Sequence, residues 1–371
     1  MIRIGFRITT KSPLLITAGP PAYNLLETLD FIPGNTMRGF LAHRYLSQGG
    51  KADDVLFNTL FLSGEVRYGC STINGAQVIP LSARSCKYYG GFLGNGKLDP
   101  PDKETHGVVD LLLHSGEAKQ CPQCGQSVDY FEGHWNSETY SFVQVRKRLI
   151  TRTAIDPVRG AAASGKLYSQ RVIEEGQDFV GVIESPDSCA AALRELLASS
   201  SAAGLGRAKS RGQGWVEIVE QEPFALSPST AANERINFFK DNGPRLAVTF
   251  LSDALFQDEF QRDTTAPTVK QLGSLGIKPD EWQELHYEAF AATRLVFGFD
   301  GPPLCLPRIP RLAVSAGSVF LFKSKEGMTN PHIPPGNGVG WVGDNNGEGF
   351  GLVVLWHPFH YQPDKEIGKN G

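Results

Sequence analysis

The sequence predicts an α+β protein of two domains, each with an antiparallel sheet covered by helices on one face. Three observations predict it: a length of 371 residues, strand-like alternation at the start of the chain, and a glycine-rich loop followed by a strand near the end of each half. At about 100–200 residues per domain, the length favours two domains. An apolar fraction of 41% and a charged fraction of 20% are typical of a globular protein with a sizeable core.

The first half opens with a strand and a helix. Residues 2–9 alternate apolar and polar side chains with the period of two that a strand requires. Apolar side chains between residues 37 and 46 recur near helical spacing. They predict an amphipathic helix, with Asn35 or Thr36 as its N-cap.

Further strands and a second helix follow. Segments 167–173 and 178–183 are strand-like, residues 186–188 open an apolar helix that ends at Ala198, and residues 215–219 form another strand-like run. This order of elements predicts a ferredoxin-like (RRM-like) sandwich.

The predicted boundaries follow changes in composition. The first domain covers 1–220 and contains a cysteine-containing insertion at 70–140, where turn residues interrupt the pattern. A segment rich in proline, serine and asparagine, 221–242, is the predicted linker. The second domain, 243–371, is predicted to repeat the fold, with a helical stretch around 282–293.

The first glycine loop, residues 204–214, carries the strongest functional signal. It interleaves four glycines, which permit left-handed backbone and remove the Cβ that would hold a ligand off, with three cations that suit phosphate oxygens. The spacing differs from the mononucleotide and dinucleotide fingerprints, and a strand follows instead of a helix. The pattern therefore favours a nucleic-acid backbone. The residues concerned are Gly204, Gly206, Arg207, Lys209, Arg211, Gly212 and Gly214.

The second glycine loop, residues 336–351, repeats the glycine spacing with opposite charge. It contains Asp344 and Glu348 and no lysine or arginine. We interpret it as a structural counterpart of the first glycine loop and expect no phosphate there.

Local charge differs from the overall charge. The net charge of −3 excludes a globally basic binder, but it allows a basic stripe. Between Phe142 and Ile173 many cations face only Asp156 in the sequence. These cations are Arg146, Lys147, Arg148, Arg152, Arg159, Lys166 and Arg171.

Four cysteines and neighbouring histidines of the insertion predict a metal site. The pair Cys121 and Cys124, followed by a glycine, has the form of a zinc knuckle. A redox pair is the weaker alternative, because no strand-to-helix context precedes it. The preferred ligand set is Cys86, His106, Cys121 and Cys124. The competitors for the fourth position are Cys70, His114 and His134. Four protein ligands leave no open position, so the predicted zinc is structural.

The sequence carries few signs of catalysis or membrane insertion. It contains no nucleophile-elbow, zinc-protease or Walker pattern, so we expect a protein that is not an enzyme. His43 is the candidate general base of the minority alternative, a metal-independent RNA endonuclease. No apolar run is long enough for a membrane helix and the start of the chain is unlike a signal peptide, so we expect a cytoplasmic protein.

Several of these segments resemble the RAMP superfamily of CRISPR-associated proteins. Residues 32–39, Ile-Pro-Gly-Asn-Thr-Met-Arg-Gly, resemble its I-P-G-S-S-[LI]-[KR]-G signature, and the first glycine loop resembles the loop near the end of a RAMP domain. Segment 152–183 is similar to the family's middle block. The second half resembles the second RAMP domain of subunits that cap type III effector complexes, and the knuckle insertion looks like the type III-D, Csx-type version.

The resemblance implies two RRM-like RAMP domains in an RNA-guided antiviral complex. Such a subunit holds the 5′ tag of the CRISPR RNA, contacts the large polymerase/cyclase-type subunit and the backbone RAMP subunits, and cuts nothing. The positions that the resemblance and the basic residues mark for RNA contact are Asn35, Thr36, Arg38, Arg152, Gly204, Gly206, Arg207, Lys209 and Arg211. A third reading is a zinc-stabilised protein-docking module without RNA contact.

Overall fold

The computed structural model of the chain describes residues 1–17, 19–20, 24–93, 95–96, 105–112, 120–121, 123–137, 139, 141–155, 158–160, 162–199, 204–223, 245–284, 289–298, 306–326, 332 and 338–361. These residues form a mixed structure of sheets and helices, so the predicted α+β class is confirmed. Most of the predicted linker lies outside the described residues. No described helix is long and apolar enough to cross a membrane.

A five-stranded antiparallel sheet organises the first half. It has the order β16-β1-β15-β3, and β4 also pairs with β15. Helix α1 lies between β1 and β3 in the chain, and α3 lies between β15 and β16. The elements are β1 (Ile2–Thr10), β2 (Leu25–Leu26), α1 (Gly34–Ser47), α2 (Val55–Phe61), β3 (Arg67–Tyr68), β4 (Thr72–Ile73), β5 (Gln77–Val78), β6 (Ala83–Cys86), β7 (Gly91–Phe92), β8 (Asn95–Gly96), β9 (Val108–Asp110), β10 (Val128–Tyr130), β11 (His134–Asn136), β12 (Ser141–Val143), β13 (Lys147–Ile155), β14 (Ala162–Ile173), β15 (Asp178–Ser185), α3 (Asp187–Ala198) and β16 (Val216–Gln221).

The alternation along β1 decides which face of this sheet is buried. Ile4, Phe6 and Ile8 are at most 1% exposed, whereas Arg7 is exposed. Helices α1 and α3 contribute apolar side chains to the same core, and burial of such side chains is the main stabilising contribution to a fold. These side chains are Met37, Phe40, Leu41, Leu193, Leu196 and Leu197.

The predicted insertion contributes strands to three small sheets that pack against the C-terminal segment. Their orders are β10-β6-β9, β12-β11-β5 and β7-β8. The ring of Phe359 packs edge-on against Trp135 at a centroid distance of 5.2 Å and against Phe92 at 6.3 Å. The insertion and the end of the described chain therefore share one hydrophobic cluster.

The sheet of the second half repeats the strand order of the first. Its order is β18-β21-β17-β23-β22, so its first four strands correspond to β3, β15, β1 and β16. The strands are β17 (Arg245–Phe250), β18 (Trp282–Glu284), β19 (Thr293–Val296), β20 (Arg311–Val314), β21 (Val319–Ser324), β22 (Val339–Trp341) and β23 (Leu352–Leu355).

The helix expected around 282–293 is wrong wherever that segment is described. Residues Trp282–Glu284 pair with β21, and Thr293 begins β19. Trp282 is 2% exposed, and the backbone groups of residues 282–284 pair with the edge of β21. Tertiary pairing therefore overrides the helical pattern of the local sequence.

Equivalent backbone hydrogen bonds follow the first strand of each half. Leu14 and Ile173 exchange bonds of 2.9 and 2.8 Å, and Ala254 and Val314 exchange two bonds of 2.9 Å. Ile173 ends β14 of the β13–β14 hairpin, and Val314 ends β20 of the β19–β20 hairpin. After their first strands the two halves therefore make the same contact with a hairpin, and the hairpin strands of the second half are shorter.

The start of α1 lies directly against the second half. A Cβ on Gly34 would lie 1.7 Å from the carbonyl oxygen of Tyr68 and 2.8 Å from that of Glu348. A Cβ on Gly349 would lie 2.6 Å from the same Tyr68 oxygen. Two glycines thus allow the second glycine loop to cross α1 and β3 at backbone contact distance.

Replacing Gly34 by alanine is expected to destabilise the protein by about 2–4 kcal/mol, because the new methyl group clashes with the carbonyl oxygens of Tyr68 in the first half and of Glu348 in the second. Gly39 in the same helix is the matched control, since a Cβ there meets no atom within 4 Å. Gly39→Ala is expected to be neutral or to stabilise by up to about 1 kcal/mol through helix propensity. Urea unfolding of both variants measures this, and equal stability of the two variants contradicts the proposed crossing.

Candidate nucleic-acid interface and metal centre

The first glycine loop folds into a tight turn with four left-handed residues. A 3₁₀ turn, Lys209–Arg211, lies between Ala208 (φ 59°) and Gly212 (φ 78°). Gly206 and Gly214 have φ values of 74° and 84°. Glycine fills three of these positions because it lacks the Cβ that makes left-handed backbone costly.

Hydrogen bonds hold this loop from two sides. The N–H of Arg207 donates to the carbonyl oxygen of Leu15 at 2.9 Å, close to the end of β1. The buried amide of Gln213 donates to Gln170 of β14 at 3.2 Å. The exposed side chains of the loop therefore project from a fixed backbone.

The cations of the loop face solvent and meet the β13–β14 hairpin. Arg207, Lys209 and Arg211 are exposed, and Arg211 donates to the hydroxyl of Tyr168. Arg152 lies opposite Tyr168 in the hairpin ladder, so their Cβ atoms are about 5 Å apart. In the described part of the chain, no acid pairs with Arg152, Arg207 or Lys209. The structure thus brings Arg152 next to the first glycine loop.

The second glycine loop has the same backbone conformation. Its 3₁₀ turn, Asn346–Glu348, lies between Asn345 (φ 57°) and Gly349 (φ 94°). Gly343 and Gly351 have φ values of 73° and 81°. The interpretation of this loop as a structural counterpart of the first is confirmed.

The charges of the second glycine loop are neutralised inside the protein. Asp344 and Glu348 occupy the positions that Arg207 and Arg211 occupy in the first loop. Both acids are bound by arginines: Arg311 donates to Asp344 at 3.0 Å, and Arg38 and Arg308 donate to Glu348 at 3.0 and 2.8 Å. The same turn therefore carries internal ion pairs in one half and exposed cations in the other.

The loop glycines serve the chain's own packing. A Cβ on Gly206 would lie 2.5 Å from the carbonyl oxygen of Leu15, and one on Gly214 would lie 2.1 Å from that of Leu205. A Cβ on Gly204 would lie 3.0 Å from the stem of the loop's lysine. Gly206 and Gly214 are therefore required by the packing of the loop itself, whereas a Cβ on Gly212 would meet no atom within 4 Å.

The predicted contacts at the start of α1 lie beside the second glycine loop. The N–H of Thr36 donates to the carbonyl oxygen of Pro33 at 3.0 Å, so the helix closes on Pro33. The prediction of Asn35 or Thr36 as N-cap is wrong, since both lie inside the helix, where they are half-buried. Arg38 is bound by Glu348.

Acids from outside the segment pair with four of the seven cations between Phe142 and Ile173. The only acid within that segment, Asp156, lies outside the described residues. Strand β14 pairs with β13 and with β2, and this pairing places acids that follow β2 and acids of the β14–β15 turn beside these cations. The pairs are Arg146–Glu174, Lys147–Asp30, Arg148–Glu175 and Arg171–Glu27.

The predicted metal ligands come together in the insertion. Ligand atoms of Cys86, His106, Cys121 and Cys124 lie within 4.8 Å of one another. The sulfurs of Cys86 and Cys124 are 3.6 Å apart, and Nδ1 of His106 is 3.3 Å from the sulfur of Cys121. Sulfurs bound to one tetrahedral zinc at about 2.3 Å lie about 3.8 Å apart, so the donor set and its spacing fit zinc.

The β10-β6-β9 sheet explains this convergence. Cys86 ends β6, His106 lies two residues before β9, and the knuckle lies just before β10. Gly125 has φ 68°, and its N–H donates to the carbonyl oxygen of Cys121 at 2.8 Å, which closes the knuckle. Three neighbouring strand ends thus deliver the four ligands to one point.

The site favours the thiolate of Cys86, which is the form that binds metal. Burial opposes ionisation of this thiol. Hydrogen bonds from the backbone of Tyr89 and Tyr88 and from the thiols of Cys124 and Cys121 outweigh burial, and they lower the pKa of Cys86.

The competing ligands do not join this cluster. The thiol of Cys70 donates to the carbonyl oxygen of Gly349 at 3.7 Å, and His134 lies on β11. His114 lies outside the described residues. Among the described residues, His106 is thus the fourth donor.

Residues 7–217 match a family model described as the RAMP superfamily. The chain belongs to the RAMP superfamily. The matched part contains most of the first sheet, α1, the metal cluster and the first glycine loop, so the RAMP assignment rests on the half with exposed loop cations.

Similar solved structures come from type III-B Cmr-beta complexes. A chain of Cmr-beta bound to cognate target RNA and AMPPnP is 13% identical, with a TM-score of 0.45 and coverage of 85% of this chain and 86% of that chain. A chain of Cmr-beta bound to cognate target RNA is 12% identical, with a TM-score of 0.36 over 59% of this chain and 97% of that chain. A chain of the apo state is 12% identical, with a TM-score of 0.34 over 60% and 98%. No curated protein matches this chain.

Sequence reasoning missed the arginines that pair with the two acids of the second glycine loop in this RAMP protein. Arg308 and Arg311 hold Glu348 and Asp344, which the sequence left unpaired. The sequence signal was the pair of acids in the second glycine loop, at positions where the first glycine loop carries cations. Such acids indicate that arginines elsewhere in the chain bind them. Tyr168, the contact of Arg211, lacked any such signal because it lies in another segment.

A buried hydrogen bond ties the insertion to the C-terminal segment. His360 lies 2.5 Å from a carboxylate oxygen of Asp110, and its other ring nitrogen lies 3.0 Å from the hydroxyl of Thr249. Burial alone would raise the pKa of Asp110, but the interaction with His360 and the N–H of Leu112 lower it. Asp110 therefore stabilises the fold at pH values above the pKa of an unfolded aspartate, and that stability is lost as the pH falls.

Asp110→Asn is expected to cost about 3 kcal/mol at neutral pH, because it leaves His360 buried without its charged partner. The stability of the variant should also depend less on pH below about pH 4 than that of the wild type. Urea unfolding across this pH range measures both effects. Asp53→Asn, at an exposed position, is the matched control and should change little. Identical pH profiles for wild type and Asp110→Asn contradict the account.

Proposed function

We propose that this RAMP-superfamily chain is a non-catalytic RNA-binding subunit of a type III CRISPR effector complex. In that complex it holds the 5′ tag of the CRISPR RNA for antiviral defence. One observation carries the proposal: exposed cations project from a rigid loop next to Tyr168 and Arg152. Phosphate oxygens accept charge-assisted hydrogen bonds from such side chains, and a tyrosine offers a ring or hydroxyl to RNA.

The internal repeat supports this choice of surface. Where the second glycine loop carries acids, the protein supplies arginines that neutralise them. Where the first loop carries Arg207 and Lys209, the described residues supply no acid. A preorganised turn with unneutralised cations therefore favours an external polyanion as the partner.

We further propose the finer assignments that the resemblance implies. The chain is a Csx-type subunit of a type III-D complex, its two halves are ferredoxin-like RAMP domains, and it contacts the large polymerase/cyclase-type subunit and backbone RAMP subunits. The common strand order of the two sheets supports the two-domain reading.

We propose that the cluster in the insertion binds a structural zinc ion. Three cysteines and one histidine would fill all four positions of a tetrahedral ion. When bound, zinc supplies a cross-link between strand ends that have little core of their own. The residues of the insertion then keep their positions against Trp135 and Phe359.

The subunit is also proposed to leave RNA uncut. His43, the candidate base, is exposed on α1, and no described residue hydrogen-bonds to its ring. Incubation of the full-length chain with repeat RNA should leave the RNA intact. Cleavage that disappears in His43→Ala would establish the endonuclease alternative instead.

The triple variant R207A/K209A/R211A is expected to weaken binding of single-stranded RNA by about tenfold or more at moderate salt, because phosphate contacts are lost. The slope of log K against log salt should decrease in magnitude by about 2, at about 0.7 for each lost contact. Fluorescence anisotropy over a salt series measures both quantities.

The matched control for this experiment is K270A/K323A/K325A, which removes three exposed lysines from the second half. It changes the net charge equally and should leave affinity and slope nearly unchanged. If both triple variants lose affinity equally, net charge explains binding and the first glycine loop is not the site.

Purified protein is expected to contain about one zinc per chain, and Cys121→Ser should lose most of it and unfold at lower urea concentration. Cys70→Ser is the matched control, because Cys70 lies outside the cluster. Metal analysis by mass spectrometry measures the content. Well under one zinc per wild-type chain, or equal loss in both variants, contradicts the assignment.

A further inference from the structure

One face of the β10-β6-β9 sheet carries the metal cluster. Arg84 pairs with Val109 and Cys86 pairs with Val128, so these side chains lie on the same face. Among the described residues, the hydrophobic cluster at this face has six members, and three of them are proposed metal ligands. The members are Cys86, Val109, Leu111, Cys121, Cys124 and Val128. Apart from the metal site, this sheet therefore has little apolar core.

The opposite face of the same sheet carries the C-terminal segment, residues 356–361. Ala83 and Asp110 are cross-strand partners, and Val108 is two residues from Asp110, so these three side chains lie on this face. Ala83 and Val108 belong to the hydrophobic cluster that contains Phe359. The carboxylate of Asp110 binds the ring of His360. A sheet of three short strands thus lies between the metal cluster and the C-terminal segment.

The C-terminal segment connects this sheet to the second half. It follows β23 directly, and the other ring nitrogen of His360 lies 3.0 Å from the hydroxyl of Thr249 on β17. Two residues before β6, the N–H of Leu81 donates to the carbonyl oxygen of Gly317 at 2.8 Å. The strands that position the metal ligands therefore also form a junction with the second half.

The C-terminal segment depends on this junction for its order. It forms a 3₁₀ turn, Pro358–Tyr361, in which the N–H of His360 donates to the carbonyl oxygen of His357 at 3.0 Å. A 3₁₀ turn of this length is not stable in isolation. Phe359 is 8% exposed and His360 is fully buried, so contacts with the insertion and with Thr249 hold the turn in place.

We propose that metal occupancy of the cluster controls the docking of the C-terminal segment on the insertion. In the metal-free protein the three thiols and the imidazole have no common partner, and the small core around Val109 cannot hold β6 and β9 together. The surface under Phe359 and the carboxylate that binds His360 are then lost together. The inference rests on the proposed zinc site and gives that site a role beyond the insertion, because the junction with the second half depends on it.

Hydrogen exchange of the full-length chain, measured by mass spectrometry before and after treatment with a zinc chelator, tests this proposal. The amide hydrogens of Phe359 and His360 are the readout, because both are hydrogen-bonded within the C-terminal segment. Their exchange is expected to be about tenfold faster after chelation and to slow again when zinc is added. Exchange in β1 and β15 should change little, because the core that covers these strands does not include the metal cluster.

Coupling between two sites is reciprocal, so undocking of the C-terminal segment should also weaken metal binding. Phe359→Ala removes the edge-on contact with Trp135 and leaves all four ligands in place. In competition with a chromophoric chelator, this variant is expected to bind zinc about tenfold more weakly than the wild type. Phe57→Ala is the matched control, because Phe57 is a similarly buried ring on α2, away from the insertion. Its zinc affinity should equal that of the wild type.

The other outcomes separate this inference from the proposed function. If exchange of the C-terminal segment is unchanged after zinc removal, or if Phe359→Ala and Phe57→Ala bind zinc equally well, the inference is wrong and the zinc site stands. If exchange rises equally in every sheet, the metal stabilises the whole chain and the inference is also wrong. Well under one zinc per wild-type chain contradicts the zinc site and the inference together. RNA binding by the first glycine loop is measured in R207A/K209A/R211A, so its failure is recognised separately.

Discussion

The left-handed glycine turn is the constraint on which both halves of this protein depend. In each half it connects to the last strand of the main sheet and hydrogen-bonds to the segment that follows the first strand. Its glycines are needed because carbonyl oxygens lie where a Cβ would project. The oxygen of Leu15 blocks this position at Gly206, and the oxygen of Leu255 blocks it at Gly343. A nine-residue backbone conformation is therefore preserved with three shared glycines, while the other six positions all differ.

The two copies of the turn have different partners. The second copy lies against Gly34 and Tyr68, and Glu348 binds Arg38 and Arg308, so it joins the halves. The first copy leaves its cations in solvent beside the β13–β14 hairpin. Because the acids of the second copy are paired within the protein and the cations of the first copy are exposed, a chain with a net charge of −3 presents a local cationic surface.

The sequence was informative where the relevant residues are close together in the chain. The glycine spacing predicted both turns, and the knuckle at Cys121 and Cys124 led to the ligand set that the sheet brings together. It was uninformative where partners are distant: Arg171 pairs with Glu27, and Trp282 joins a sheet edge that its own segment does not reveal. The glycine spacing thus predicted the backbone conformation of both loops. The two loops differ in the charges of the residues between their glycines.

The most direct measurement is to co-express the chain with its neighbouring genes and a CRISPR array, purify through a tag on this chain, and sequence the recovered RNA with its ends mapped. The account predicts guide RNAs with a common 5′ tag, greatly reduced when Arg207, Lys209 and Arg211 are all replaced by alanine. Protein partners without RNA, or RNA recovered equally well with the variant, would contradict it.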